Sequence, residues 1–138
     1  MKQFPILICL LLLFSVGFSV GASKKDTQDT QVLIYKGESE HWSVISKVTI
    51  DGNTVEHIDV VKYKGNNNDS VGKIVYKLES IAGSSEGKVD LSTGRAGELG
   101  TIVDKGGGGN VELISKVTTV LANIEWNGKV ERFELKKQ

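Results

Sequence analysis

The chain has 138 residues, with 17 basic and 17 acidic side chains and two histidines, so its formal charge is zero. That length allows one ordinary domain of ~100–150 residues and a short leader rather than two domains. A balanced charge with lysines spaced singly excludes the basic stripe that nucleic acid requires, and a single cysteine excludes a disulfide-stapled scaffold, leaving an apolar core to hold the domain.

Residues 1–22, MKQFPILICLLLLFSVGFSVGA, have the three parts of a secretory signal peptide. Lys2 gives the positive start, Ile6 to Val16 the apolar run, and Val20 and Ala22 stand three and one residues before a cut ahead of Ser23. The apolar run falls short of the ~20 residues of a spanning helix, so membrane contact is expected only through this segment before cleavage. Cys9 follows Ile8 near the front of the run, the wrong place for a lipid-modified cysteine, and is expected to leave with the leader. Loss of Lys2 from 17 basic residues, against 17 acidic, makes the mature charge about minus one. The expected destination is secreted or extracytoplasmic, at the cell surface.

Residues 23–31, SKKDTQDTQ, carry nothing apolar and read as a flexible polar tether before a domain over 32–138. From Val32 onward, segments rich in Val, Ile, Thr and Tyr alternate with Gly, Asn, Asp and Ser clusters. HWSVISKVTI places Trp42, Val44, Val48 and Ile50 on one side of a strand, with Ser43, Lys47 and Thr49 on the other. Asp51, Gly52 and Asn53 turn the chain, and TVEHIDVVKY returns as the partner strand. GNNNDSVG, 65–72, is a loop, and KIVYKLES is a further strand with Ile74, Tyr76 and Leu78 on one face. GSSEG is expected to turn, KVDLS to form a short strand with Val89 and Leu91 inward, and GELGTIVD another before a KGGGGN loop.

The clearest local signal is VLANIEWNGKVERFELKK. Asn127 and Gly128 suit a two-residue type I′ turn, which pairs Trp126 with Lys129, Ala122 with Phe133 and Val120 with Leu135. Asn123 opposite Arg132 and Leu121 opposite Glu134 then fall on the other face. No amphipathic helix emerges from the mature chain. Seven or eight short strands with frequent turns predict a single antiparallel β-sandwich, with a small closed barrel as the alternative.

Acyl-transfer chemistry needs a base beside a nucleophile, and the only histidines, His41 and His57, stand in no recognisable motif. Both read as surface or edge histidines. The hairpin separates them by five or seven ladder positions, about 16 to 23 Å at ~3.3 Å per residue, too far to share a zinc ion. Lys105 precedes Gly106–Gly109, whereas a phosphate-binding loop needs its lysine after the glycines; Asn110, Val111 and Glu112 read as strand-like. Asn66, Asn67, Asn68, Asp69 and Ser70 offer oxygens to calcium but lack the spaced carboxylates of a dedicated loop. Glu38, Glu40, Glu125, Glu131 and Glu134 read as solvated strand positions, and Trp42 and Trp126 as core rather than a sugar platform. No catalytic, metal or cofactor site is expected, and no cofactor.

GESEHW (Gly37, Glu38, Ser39, Glu40, Trp42), the run from Tyr63 to Ser80, GSSEGKVDL and the terminal IEWNGKVERFEL together resemble a group of small exported proteins of Bacillus-type Gram-positive bacteria. The resemblance implies an immunoglobulin-like sandwich and export, and no activity attached to any residue. Some members of that group are lipid-anchored, which this leader does not support. The expected function is a non-enzymatic module binding a protein or cell-surface component through sheet edges or loops. The rivals are a hydrolase acting on wall or carbohydrate and a self-assembling envelope protein.

Overall fold

A computed structural model describes residues 29–93 and 100–138. The leader, Cys9 and all but the last three residues of the tether lie outside the described residues. Among those described, eight strands run in chain order: β1 (Gln31–Glu38), β2 (Trp42–Asp51), β3 (Thr54–Tyr63), β4 (Lys73–Ser80), β5 (Gly83–Asp90), β6 (Thr101–Gly107), β7 (Thr119–Trp126) and β8 (Lys129–Lys137). A short helix, α1 (Val111–Ser115), joins β6 to β7. None of the described helices is long and apolar enough to cross a membrane.

The strands form one antiparallel sheet in the order β5-β4-β7-β8-β1-β2-β3-β6. The all-β expectation therefore holds, but the division into two sheets gives way to the barrel-like alternative. Period-two alternation is the same in either architecture; the ladders decide. β1 with β8 and β3 with β6 carry the hydrogen bonding from β5 to β6 in a single sheet, and one set of inner faces converges on one core. β5 and β6 are the two free edges. Side chains span this seam: the Tyr76 hydroxyl of β4 donates to Asp104 Oδ2 of β6 at 2.8 Å, and Ser85 Oγ of β5 donates to Asp59 Oδ2 of β3 at 3.2 Å.

The two short hairpins follow their turn chemistry. Asp51 pairs with Thr54, leaving Gly52 and Asn53 as the loop, with φ of 58° at Gly52, the first central residue. Asn127 (φ 47°) and Gly128 (φ 69°) both take positive φ, as a type I′ turn requires, and the expected pairs Trp126–Lys129, Ala122–Phe133 and Val120–Leu135 are present. Tyr35, Val44, Ile74, Tyr76, Leu78, Ile124 and Leu135 fill the interior. Burying each such side chain contributes ~1.5–3 kcal/mol.

Three local expectations are corrected. The chain after β4 turns at Ile81 and Ala82, so GSSEG belongs to β5, its small residues paired with the end of β4. Gly106 and Gly107 belong to β6, opposite His57 and Glu56, rather than to a loop. Val111–Ser115 is helical, because Asn110 accepts a capping bond from the Leu113 N–H at 3.1 Å and Ile114 docks its side chain in the core. Five residues are too few for a helical period to be read from sequence.

Candidate functional site

Alternation along the strands turns several polar side chains inward among the apolar ones. Ser46 lies between Val44 and Val48 on β2, and His57 and Asp59 lie between Val55 and Val61 on β3. In register, Asp59 stands opposite Ser46 on one side and Asp104 on the other, while His57 stands opposite Val48 and Gly106. Asp59 is 2% exposed, and a carboxylate so placed must be hydrogen-bonded. Its Oδ1 accepts from Ser46 Oγ at 2.5 Å, its Oδ2 from Ser85 Oγ, and His57 Nε2 lies 3.5 Å from Oδ2.

Two glycines make room for this cluster. A Cβ on Gly87 would overlap the ring and hydroxyl of Tyr76, its partner across the β4–β5 ladder, and a Cβ on Gly106 would overlap the His57 ring. Glycine in a strand has this use, the close approach of another group. Tyr76 thereby lies over β5 and reaches Asp104. Burial, the bond to Asp104 and the charges of Asp104 and Asp59 together hold its hydroxyl protonated well above its ordinary pKa of 10.0.

Beside the cluster is a cavity of about 330 Å³, its polar border formed by Ser46, His57, Asp59, Ser80, Ser84 and Ser85. Val48, Val55, Leu78, Ile114, Val117 and Val120 supply apolar wall, and Gly107–Gly109 and the β4–β5 turn residues Ala82 and Gly83 lie at its edge. At ~30 Å³ per water, that volume equals about eleven waters, the low end of small-molecule sites. α1 covers this end of the barrel through Ile114. Tyr35 on β1 donates its hydroxyl to the Val117 carbonyl at 3.1 Å, and burial raises its pKa. Neither lysine nor arginine is among the described residues bordering the cavity, so the available partners for a bound molecule are a carboxylate, hydroxyls and an imidazole.

Aromatic rings close the opposite end. Trp42 packs against Tyr63 and Trp126, each at 5.3 Å between centroids, the second pair edge-on at 74°. His41 follows at 5.5 Å from Trp126. Glu131 Oε2 accepts from the Ser39 hydroxyl and from the His41 backbone N–H at 3.2 Å, and its Oε1 lies 2.5 Å from His41 Nδ1. Burial alone raises the Glu131 carboxyl; the bonds from Ser39 and His41 outweigh it and hold the group below its ordinary value.

The sequence-predicted residues thus divide between two ends. His57 pairs with Val48, seven positions along β2 from His41, about 23 Å at ~3.3 Å per residue, so the histidines belong to separate places. His57, its side chain 26% exposed, borders the cavity from an inner strand rather than an edge, and Glu131 binds His41 rather than standing free in solvent. Trp42 and Trp126 are core. Glu38, Glu40, Glu125 and Glu134 are exposed, as expected. In GNNNDS, Asn68–Ser70 form a single 3₁₀ turn, and Asn68 Oδ1 lies where a Cβ on Gly100 would fall. Ser46, Asp59, Ser85 and Asp104 carry no motif in the sequence and Tyr76 reads there only as part of a strand face, although Ser46 and Asp59 do break the apolar alternation of β2 and β3 and so mark the inner face as polar. No family model, no curated protein and no solved structure matches this chain.

Proposed function

We propose that this chain is an exported, non-enzymatic binding module that carries a small amphipathic molecule with a hydrogen-donating, preferably amine, head in the interior of its barrel. The observation that carries the reading is Asp59, 2% exposed, at the border of a 330 Å³ cavity that Val48, Val55, Leu78 and Val120 also line. A carboxylate has about four acceptor positions; Asp59 uses two for Ser46 and Ser85 and has His57 Nε2 3.5 Å from Oδ2, so acceptor capacity remains for a ligand. An amine head there adds a charged donor beside the Ser46 and Ser85 hydroxyls and the His57 imidazole, while a short alkyl body covers Val48, Val55, Leu78 and Val120. Export is supported by the leader-like sequence of residues 1–22 and by the resemblance to exported proteins of Bacillus-type bacteria.

A hydrolase is the second reading, because His57 and Asp59 share a cavity border with serines. The hydroxyl geometry favours binding instead: Ser46 and Ser85 both direct their protons at Asp59, so neither is aligned with the imidazole as a nucleophile with its base.

Calorimetric titration of the chain with octylamine, octanol and octanoate is the test. The amine is expected to bind tightest and the carboxylate weakest, and Asp59→Asn is expected to erase the preference for the amine. Equal affinity for all three, or tightest binding of octanoate, overturns the proposed chemistry, and turnover of a model ester abolished by His57→Ala favours the hydrolase.

A further inference from the structure

Away from the cavity, Glu40, His41 and Glu131 bring three potential ligand atoms within 4.8 Å of one another. We propose that Glu40 and His41 form an open site for a divalent transition ion of the zinc class, with Glu131 as the residue that positions the imidazole. The inference is independent of the cavity and of any ligand in it.

The two ring nitrogens of His41 have different surroundings. Nδ1 faces Glu131 Oε1 at 2.5 Å, so its proton is held between them and the lone pair of a neutral imidazole falls on Nε2. Nε2 points toward Glu40, with Oε1 3.9 Å away. Two ligands ~2.0–2.1 Å from a tetrahedral zinc stand ~3.3 Å apart, so a small rotation of the exposed Glu40 side chain brings both into range. Glu131 then acts as the outer carboxylate that fixes tautomer and ring orientation. The ring is also braced from a second direction by Trp126 at 5.5 Å, and Glu131 by the Ser39 hydroxyl and the His41 N–H. A histidine fixed in this way has already lost the ring freedom that ion binding would otherwise cost. Water completes the remaining positions, and nitrogen with carboxylate oxygen suits zinc, nickel or copper rather than calcium.

The protein contains its own control, since His57 lies at the other end of the barrel. In a ¹⁵N-labelled full-length chain, zinc chloride is expected to shift the His41 Nε2 resonance saturably and leave His57 in place, with the Nδ1–H tautomer of His41 already present before zinc is added. His41→Ala is expected to abolish the binding, Glu40→Gln to weaken it about tenfold, and Glu131→Gln to weaken it ~10–100-fold while the Nδ1–H tautomer is lost. Shifts of both histidines alike, none at millimolar zinc, or affinity unchanged in Glu40→Gln overturns the proposal. Should Glu131→Gln fail to fold, the wild-type spectra alone decide, because only this proposal requires His41 to bind through Nε2 and His57 not to respond.

Discussion

Gly87→Ala is a substitution for which strand chemistry and this structure give opposite signs. In an ordinary strand, replacing glycine by alanine stabilises by about 0.4–1 kcal/mol, since the unfolded chain loses freedom. Here the added methyl meets the ring and hydroxyl of Tyr76, which lies over Gly87 on its way to Asp104. Overpacking of this kind costs ~1–3 kcal/mol. Displacing the ring also breaks a hydrogen bond to a carboxylate, worth ~1.5–3 kcal/mol, partly offset because the half-buried Asp104 regains water. The net expectation is a loss of about 2–4 kcal/mol, measured as a lower urea midpoint at unchanged slope. Tyr76→Val removes the obstacle, and Gly87→Ala made in that background is expected to be neutral or to stabilise by up to ~1 kcal/mol. If Gly87→Ala stabilises the otherwise unaltered protein, the ring does not cover β5 and the side-chain bridge over the seam is wrong.

Three further outcomes follow from the same geometry. Gly128→Ala forces a side chain into φ 69° at the β7–β8 turn and is expected to cost ~1–2 kcal/mol in thermal unfolding, whereas Gly→Ala where φ is negative gains. Tyr35 and Tyr76 both have raised pKa values, so the folded state keeps protons that the unfolded state releases above about pH 10; stability is expected intact below that pH and to fall as pH rises beyond it, with a shallower fall in Tyr76→Phe. Glu131 has a lowered pKa, so its contribution is present above its ordinary value of 4.5 and is lost as pH falls below it; Glu131→Gln is expected to flatten that acid limb of a stability curve.

Much of the fold was legible from residues, and its global arrangement was not. The Asn127–Gly128 turn sets a register that holds from Trp126–Lys129 to Thr119–Lys136, because backbone torsion and cross-strand pairing agree there. Trp42, Val44 and Ile50 were readable as one buried face for the same reason, a two-residue period with no competing signal. Whether the inner faces line one barrel or two sheets depends on β3 meeting β6 and β1 meeting β8. Those pairings join segments distant in sequence, and alternation carries no mark of them. The GSSEG and KGGGG segments misled because glycine and serine usually signal turns; here Gly87 and Gly106 are strand residues whose missing side chains admit Tyr76 and His57. The cavity's polar border was half-visible. Ser46 and Asp59 interrupt an apolar face, and a carboxylate on such a face marks either a buried network or a site. That Ser85 and Tyr76 join it required knowing that β5 lies beside the free edge of β6, which no local pattern states.

Methyl NMR of the chain with bound octylamine tests interior binding most directly. Contacts from the alkyl protons to the methyl groups of Val48, Val55, Leu78 and Val120, which border the cavity, are the expected result. Contacts instead to the exposed outer methyls of Val32, Val103 and Val130, or none at saturation, would contradict an interior binding site.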